Sequence, residues 1–344
     1  MRAILVDAPN SAPVLTTVPE PDLPPHGALV EVRATGVCRS DWHAWVGHDQ
    51  TVAFPHVPGH EFAGVVRAVG ARVQRFQGGE RVTAPFCCGC GSCVECGAGH
   101  QNLCEHEYQP GFDGWGSFAE LVMVPWADVN LVPLPEELGF DVAASLGCRF
   151  TTSYAGLTAH ARVKPGESVA VFGCGGVGLS AVMIASRMGA RVIAVDTVQE
   201  KLDLAQELGG HAVVNVSETD PVEAILELTG GGAHVSVDAL GSASTAGQGV
   251  RSLRKRGRHL QLGLLLGQDA TPNVPLELAI KRELSILGTH GMQARRYPEM
   301  LDFIASSRAP LEALIGARRP LGAAGEVLAS MGSFAPVGVT ILHP

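Results

Sequence analysis

The sequence predicts an α/β protein of two domains: an irregular β-rich domain, and a doubly wound parallel sheet inserted before the chain returns to the first. Three observations carry this. At 344 residues, 46% of them apolar and 17% charged, the chain exceeds the roughly 250–300 residues at which a single core stops growing. Up to about residue 150, short apolar segments such as 28–34 and 62–69 are punctuated by Gly and Pro, the pattern of strands and turns. From about Val169 the texture changes. Strand candidates at 168–172, 191–195, 212–214, 234–238, 259–262 and 285–287 alternate with segments of helical apolar spacing such as 199–208 and 221–228, and strands joined by crossovers make a parallel sheet. The expected division is 1–150 for the first domain, 151–289 for the inserted sheet, and 290–344 for a return to the first, where the apolar stretch 337–342 would pair as a strand.

Charge narrows the partners. A formal net charge of −9 argues against nucleic acid, whose binding needs basic patches that neutralise phosphates. No uninterrupted apolar run reaches the ~18 residues of a membrane span, and the segment from Met1 to Asp7 reads as a strand, without the apolar core of a secretory signal. Nine cysteines, an odd number, are expected to be thiols and metal ligands in a cytoplasmic protein.

The most specific local signal is Cys90-Gly91-Ser92-Cys93-Val94-Glu95-Cys96 followed by Cys104, four thiols within 15 residues. C-x2-C-x2-C-x7-C brings soft ligands into one loop, the pattern of a closed structural zinc site; two disulfides, or a coincidence of loop composition, are the competing readings. A second set, Cys38, His60 and Cys148, has quite different spacing. Taken singly, each is more often a buried core residue. Taken together they form a Cys₂His set, and three protein ligands leave the open position that separates catalytic from structural zinc. Two zinc ions per chain are expected. Cys87, Cys88 and Cys174 are surplus thiols, and His48, His56, His100, His106 and His290 are read as surface or loop residues.

Gly173-Cys174-Gly175-Gly176-Val177-Gly178 matches G-x-G-x-x-G. Among 42 glycines a lone match is weak, but this one follows an apolar strand candidate and opens a helical stretch, 179–188. Gly173 would permit the tight turn, Gly175 the approach of a pyrophosphate, and Gly178 the packing of helix on strand, with free N–H groups meeting the anion. Asp196, 18 residues beyond Gly178, is placed to bind an adenosine ribose and repel a 2′-phosphate, which favours NAD over NADP. Its competing reading is a helix cap.

Along its whole length the chain resembles the zinc-dependent alcohol dehydrogenases of the medium-chain dehydrogenase/reductase superfamily: the string 38–43, Gly59-His60-Glu61, the four-cysteine loop, Cys148, the glycine turn and Asp196 follow the family's order. The resemblance implies a GroES-like catalytic domain, a Rossmann domain, and hydride transfer between an alcohol carbon and nicotinamide in the cleft between them. It implies that Cys38, His60 and Cys148 hold the catalytic zinc, that Glu61 ligates it transiently, and that Asp41 orients His60. Ser40 would accept the substrate proton and pass it through the cofactor ribose to His43. Arg39 would pair with the pyrophosphate and Lys201 with the ribose, while Thr152, Val177 and the turn glycines including Gly176 would line the dinucleotide. A homo-oligomer, tetramer before dimer, is also implied.

One departure stands out. Some members carry a second pyrophosphate arginine on the last strand, and the matching region 336–340 places Val339 there. Phe86, Trp42, Phe54, Trp115 and Phe150 are candidates for an aromatic pocket that would favour apolar alcohols. The expected reaction joins a primary or secondary alcohol to its aldehyde or ketone. A polyol, threonine or formaldehyde dehydrogenase would share almost every motif, and a non-enzymatic NAD-binding protein is the distant alternative.

Overall fold

A computed structural model describes residues 1–333 and 337–344 and divides them into two compact units. One comprises Met1–Thr151, Gly291–Asp302 and Ile315–Pro344; the other Thr152–His290 and Phe303–Leu314. The stretch 303–314, expected in the first domain, therefore belongs to the second. It begins inside the helix Tyr297–Ser307, where the Phe303 ring packs 5.4 Å from that of Tyr154.

The second unit is built on a six-stranded sheet. Its spatial order is Ala212–Asn215, Arg191–Asp196, Ser168–Phe172, Ala233–Asp238, Leu253–Gln261, Ser285–Gly288, and every neighbouring pair is parallel. Numbered along the chain, this is the 3-2-1-4-5-6 order of a Rossmann sheet. The apolar run Ser168–Phe172 is buried at every position because helices cover both faces of a central parallel strand. The order in which strands are added reverses between this strand and Ala233–Asp238, which puts a ligand-binding crevice at their carboxyl ends. Crossover helices obey local rules: Pro221–Thr229 starts on Asp220, whose side chain accepts from Val222 and Glu223 N–H, and stops at Gly230 in the left-handed region.

The first unit holds a seven-stranded sheet centred on Ala28–Val37, which pairs antiparallel with Glu61–Val69, Leu121–Val124 and the last strand, Val339–His343. The last strand also runs parallel to Ile315–Pro320. Val66, Phe62, Val30, Val122 and their neighbours close one core under this sheet. Register positions the site: Gly36 lies opposite Glu61, so Cys38, just past one strand, and His60, just before the other, come to the same end. Cys148 arrives on Leu146–Phe150, a π-helical turn of the kind enriched at functional sites.

Candidate active site

Two clusters of possible metal ligands emerge among the described residues: Cys90, Cys93, Cys96 and Cys104, and Cys38, His60, Glu61 and Cys148, with the donor atoms of each lying within 4.8 Å of one another. The first is a closed set of thiols. Backbone N–H groups point at its sulfurs, from Cys90 and His106 to Cys104 Sγ at 3.2 Å each and from Ser92 to Cys90 Sγ at 3.4 Å. Burial works against a Cys90 thiolate, but the Ser92 hydroxyl and the N–H groups of Ser92 and Cys93 lower its pKa to about 6. The loop is tied down by Gln293, whose Nε2 donates to the Gly99 carbonyl at 2.9 Å. Four sulfurs at this spacing fit tetrahedral zinc with no position left for substrate.

The second set differs in kind. His60 Nδ1 is 3.0 Å from Asp41 Oδ1, so Nε2 is the nitrogen available to a metal, the usual division of labour between a ligand's two ring atoms. Asp41 is itself fixed, accepting from Cys38 N–H at 2.8 Å and Gly59 N–H at 3.1 Å. Ser40 stands at the open side, its Oγ 3.1 Å from Cys38 Sγ and 3.2 Å from His60 Nε2. A hydrogen bond from the Cys148 thiol holds Cys38 well below the ordinary thiol range despite burial. Thiolate character at Cys38, in a Cys₂His set completed by the buried His60 and half-buried Cys148, suits a divalent metal with a vacancy for substrate. Glu61 is saturated differently, by Arg149, which also sits beside a ligand. Burial opposes the guanidinium charge, and the Glu61 carboxylate overcomes it and raises the Arg149 pKa.

The glycine turn fits a dinucleotide by its spaces. Gly173 has φ +89°, and a Cβ on Gly178 would lie 1.7 Å from the Gly173 carbonyl oxygen, whereas one on Gly175 would meet nothing within 4 Å. That emptiness is room for a phosphate. Asp196 spans both of its earlier readings: Oδ2 accepts from Cys174 N–H at 2.6 Å, bracing the turn, and Oδ1 accepts from Thr197 and Val198 N–H like a helix cap. Thr152 Oγ1 and Thr289 Oγ1, both in the second unit, are buried with no hydrogen-bond partner, as expected of groups that await a polar ligand.

Comparison with known proteins agrees with this geometry. Residues 24–136 match the family described as alcohol dehydrogenase GroES-like domain, and 176–306 match zinc-binding dehydrogenase. An alcohol dehydrogenase of Geobacillus stearothermophilus is 34% identical over 90% of both chains. The chain belongs to the zinc-dependent alcohol dehydrogenase family of the medium-chain dehydrogenase/reductase superfamily. A sorbitol dehydrogenase of Halalkalibacterium halodurans is 32% identical over 86% of both chains. A solved structure described as an NAD-dependent alcohol dehydrogenase superposes with a TM-score of 0.90 over all of both chains at 31% identity.

Other residues that the alcohol dehydrogenase resemblance had singled out fall in varied places. Arg39 starts the helix Arg39–Trp45, stacks 3.8 Å over Trp42 and donates to the Met331 carbonyl. Lys201 is buried rather than solvated. Val177 is half-buried at the start of the helix Gly176–Arg187, and its carbonyl accepts from Ser153 Oγ at 2.9 Å. His43 Nδ1 is 3.0 Å from His48 Nδ1, so His48, read as a loop residue, is the partner of the expected relay end. Burial pushes the His43 pKa down to about 4, with Arg39 adding repulsion. Cys87 and Cys88 are wholly buried, and burial raises both thiols, which makes them poor competitors for metal.

Two expectations fail. Val339 does not present a side chain to a ligand: it is packed in a core with Ala34, Ala63, Leu134, Ala143 and Ile341, because alternation along the last strand turns it inward. Pro336, in the same matched region, lies outside the described residues. Of the aromatic candidates, the Phe86 ring stands 6.1 Å from His60, but Phe150 is fully buried, Trp42 packs on the Ile4, Val37 and Phe118 core, and Trp115 packs beside Ala3 and Val57. Phe54 stands edge-on to His56. Phe112, passed over in sequence, lies 5.2 Å from His60. Arg149 was missed as well, although a charged residue directly after a ligand cysteine in an apolar stretch was a visible signal.

Proposed function

We propose that the protein is an NAD-dependent zinc alcohol dehydrogenase that moves a hydride between a primary or secondary alcohol and nicotinamide, giving the aldehyde or ketone. The observation that carries this reading is the set of buried Cys38, buried His60 and half-buried Cys148, with Ser40 against it. Cys38, His60 and Cys148 would hold one zinc and Cys90, Cys93, Cys96 and Cys104 a second, two ions per chain. When bound, catalytic zinc supplies a Lewis acid for the substrate oxygen, and NAD supplies the hydride acceptor.

The chain's own residues do the rest. Asp41 fixes the tautomer and plane of His60. Ser40 takes the proton of the substrate hydroxyl, and His43, kept largely neutral by its burial, can accept that proton near solvent. Asp196 favours NAD over NADP by presenting a carboxylate where NADP carries its phosphate. Gly173, Gly175, Gly176, Val177 and Gly178 form the pyrophosphate turn, with Arg39, Lys201 and Thr152 as further contacts. Phe86 and Phe112 beside His60 give the site an apolar wall, which suits an alcohol without further hydroxyls better than a polyol.

A cytoplasmic enzyme agrees with nine free cysteines; no helix among the described residues is long and apolar enough to cross a membrane. A homo-oligomer is supported by the exposed Leu276, Ile280 and Ile286 on and beside the edge strand Ser285–Gly288, since a bare apolar edge invites a second copy; the preference for a tetramer over a dimer rests on the family resemblance alone. A panel of simple alcohols, polyols, threonine and their carbonyl partners, followed by nicotinamide absorbance with NAD and NADP, tests the reading. Turnover of polyols or threonine alone would transfer it to those branches. No turnover of any of them would favour a non-enzymatic NAD-binding protein.

A further inference from the structure

Glu61 lies among the donor atoms of the Cys38, His60 and Cys148 set, yet its hydrogen bonds come from Cys148 and Arg149. Its Oε1 accepts from the N–H of Cys148 at 3.0 Å and, at 3.1 Å each, from the N–H and the Nε of Arg149. Its Oε2 is met by Arg149 Nη2. The other arm of the guanidinium, Nη1, donates to the Val37 carbonyl at 2.9 Å. The pair is closed off from water, Glu61 at 0% and Arg149 at 5% exposure. Two glycines make its room: a Cβ on Gly36 would come within 2.7 Å of both Arg149 Nη2 and Glu61 Oε2, and one on Gly147 within 2.9 Å of Glu61 Cα.

A carboxylate this close to a three-ligand metal site is a ready fourth ligand, and zinc accepts such oxygens. Its entry would fill the position that the substrate oxygen needs. The planar fork of an arginine is the side chain suited to binding both carboxylate oxygens at once, and the π-helical turn aims two backbone N–H groups at the same oxygen. The guanidinium also cancels the carboxylate charge, so a metal would face two thiolates and an imidazole without a third anion. We propose that Arg149 is a positioning residue: by binding both oxygens of Glu61 it holds that carboxylate off the catalytic metal and keeps the substrate position open. This rests on the reading of Cys38, His60 and Cys148 as a catalytic zinc site.

A pair that only braced the strands would behave differently, and metal retention separates the two roles. The experiment uses full-length protein with Co²⁺ in place of zinc, and Cys38→Ser protein supplies the cobalt signal of the four-cysteine loop alone. In Arg149→Met, release of Glu61 onto the metal should raise the coordination number, weaken and shift the visible cobalt bands, and slow metal loss to a chelator. Turnover should fall by about 10–100-fold, the range for groups that orient metal sites. Adding Glu61→Gln to Arg149→Met should return the cobalt bands to their native form. Faster metal loss with unchanged bands, and no recovery in the double variant, would overturn the proposal. If Arg149→Met does not yield folded protein, Arg149→Lys keeps the charge but not the fork; the same shift in bands and slower metal loss are expected, and native values for both would overturn the proposal. Native protein whose cobalt spectrum equals the Cys38→Ser blank would remove the catalytic metal reading and the proposal with it, a result distinct from failure in the variants alone.

Discussion

Gly178 and Gly175 belong to one sequence motif but face opposite demands, and alanine at each should separate them. A Cβ at Gly178 would stand 1.7 Å from the Gly173 carbonyl oxygen, where real Cβ contacts stay beyond 3.0 Å. The obstacle is backbone, so no rotamer relieves it and the helix Gly176–Arg187 or the turn must shift by more than ~1 Å. Overpacking costs about 1–3 kcal/mol, and a clash of this depth belongs at the upper end. Helix propensity returns about 1 kcal/mol on replacing Gly by Ala. The net loss of about 2 kcal/mol should lower Tm by roughly 4–8 °C in a unit of this size. At Gly175 the backbone, φ −79°, suits alanine and no atom lies within 4 Å. There, losing a glycine N-cap costs roughly 0.5–1 kcal/mol, and the stiffer unfolded chain returns about 0.4–1 kcal/mol. Tm should barely move. NAD affinity should fall at least about tenfold, because the methyl displaces a charge-assisted contact worth about 1.5–3 kcal/mol. Differential scanning calorimetry and calorimetric titration with NAD read the two effects. Native NAD affinity in Gly175→Ala, or equal thermal losses in both variants, would refute the assignment of the turn.

Elemental analysis should find two zinc ions per chain, with Cys93→Ser mainly lowering thermal stability and Cys38→Ser mainly abolishing turnover; equal stability losses would count against distinct roles. Asp196→Gly should narrow or reverse the preference for NAD in paired NAD and NADP assays, and should also cost some stability because Cys174 N–H loses its acceptor. Val339→Arg should not tighten NAD binding: it buries a charge in an apolar core, and a Tm drop of several degrees in a thermal melt is the expected result. Asp141, bonded to His343 at 2.8 Å and Arg318 at 2.5 Å, is partly buried, which raises its pKa, but its interactions with His343 and Arg318 outweigh that and depress it. A depressed folded pKa stabilises the protein above the unfolded value of about 4, and the gain is lost as pH falls further. Asp141→Asn should therefore cost about 1 kcal/mol near neutral pH and little at pH 3, read by denaturant melts at both.

The sequence displays what depends on local pattern and hides what depends on facing. Five of the six strand candidates extended by one or more residues in the structure, and the glycine turn sits where its flanking apolar runs put it, because the central strand Ser168–Phe172 is covered on both faces and is apolar or small at every position. The parallel, doubly wound sheet followed from alternation with helices, whereas its 3-2-1-4-5-6 order did not. Val339 escaped because both faces of the last strand are covered, Val339 and Ile341 in one core and Leu342 in another, a covering supplied by segments far away in the chain. Phe112 and Phe86 reach His60 from separate loops, a proximity that no spacing encodes. The 303–314 stretch changed units because its assignment rests on tertiary packing of Phe303, which nothing in its own composition announces. Arg149 was legible in hindsight: an arginine inside Leu146–Phe150 has to find a buried anion, and Glu61 is the carboxylate whose neighbour His60 already pointed there.

The pairing of Thr340 with Val37 also dictates a timetable. The strand that delivers Cys38 has its last neighbour near the far end of the chain, and at about 5–20 residues per second some 15–60 s of synthesis separate the two. Until then the Thr35–Val37 end of that strand presents an unpaired edge, while Thr152–His290, nearly contiguous, can complete its sheet from local partners. Newly made chains should thus hold a finished dinucleotide fold before a finished sheet around Cys38. Chaperone dependence, and the sensitivity of yield to metal supply, should concentrate on the unit whose two ends meet last.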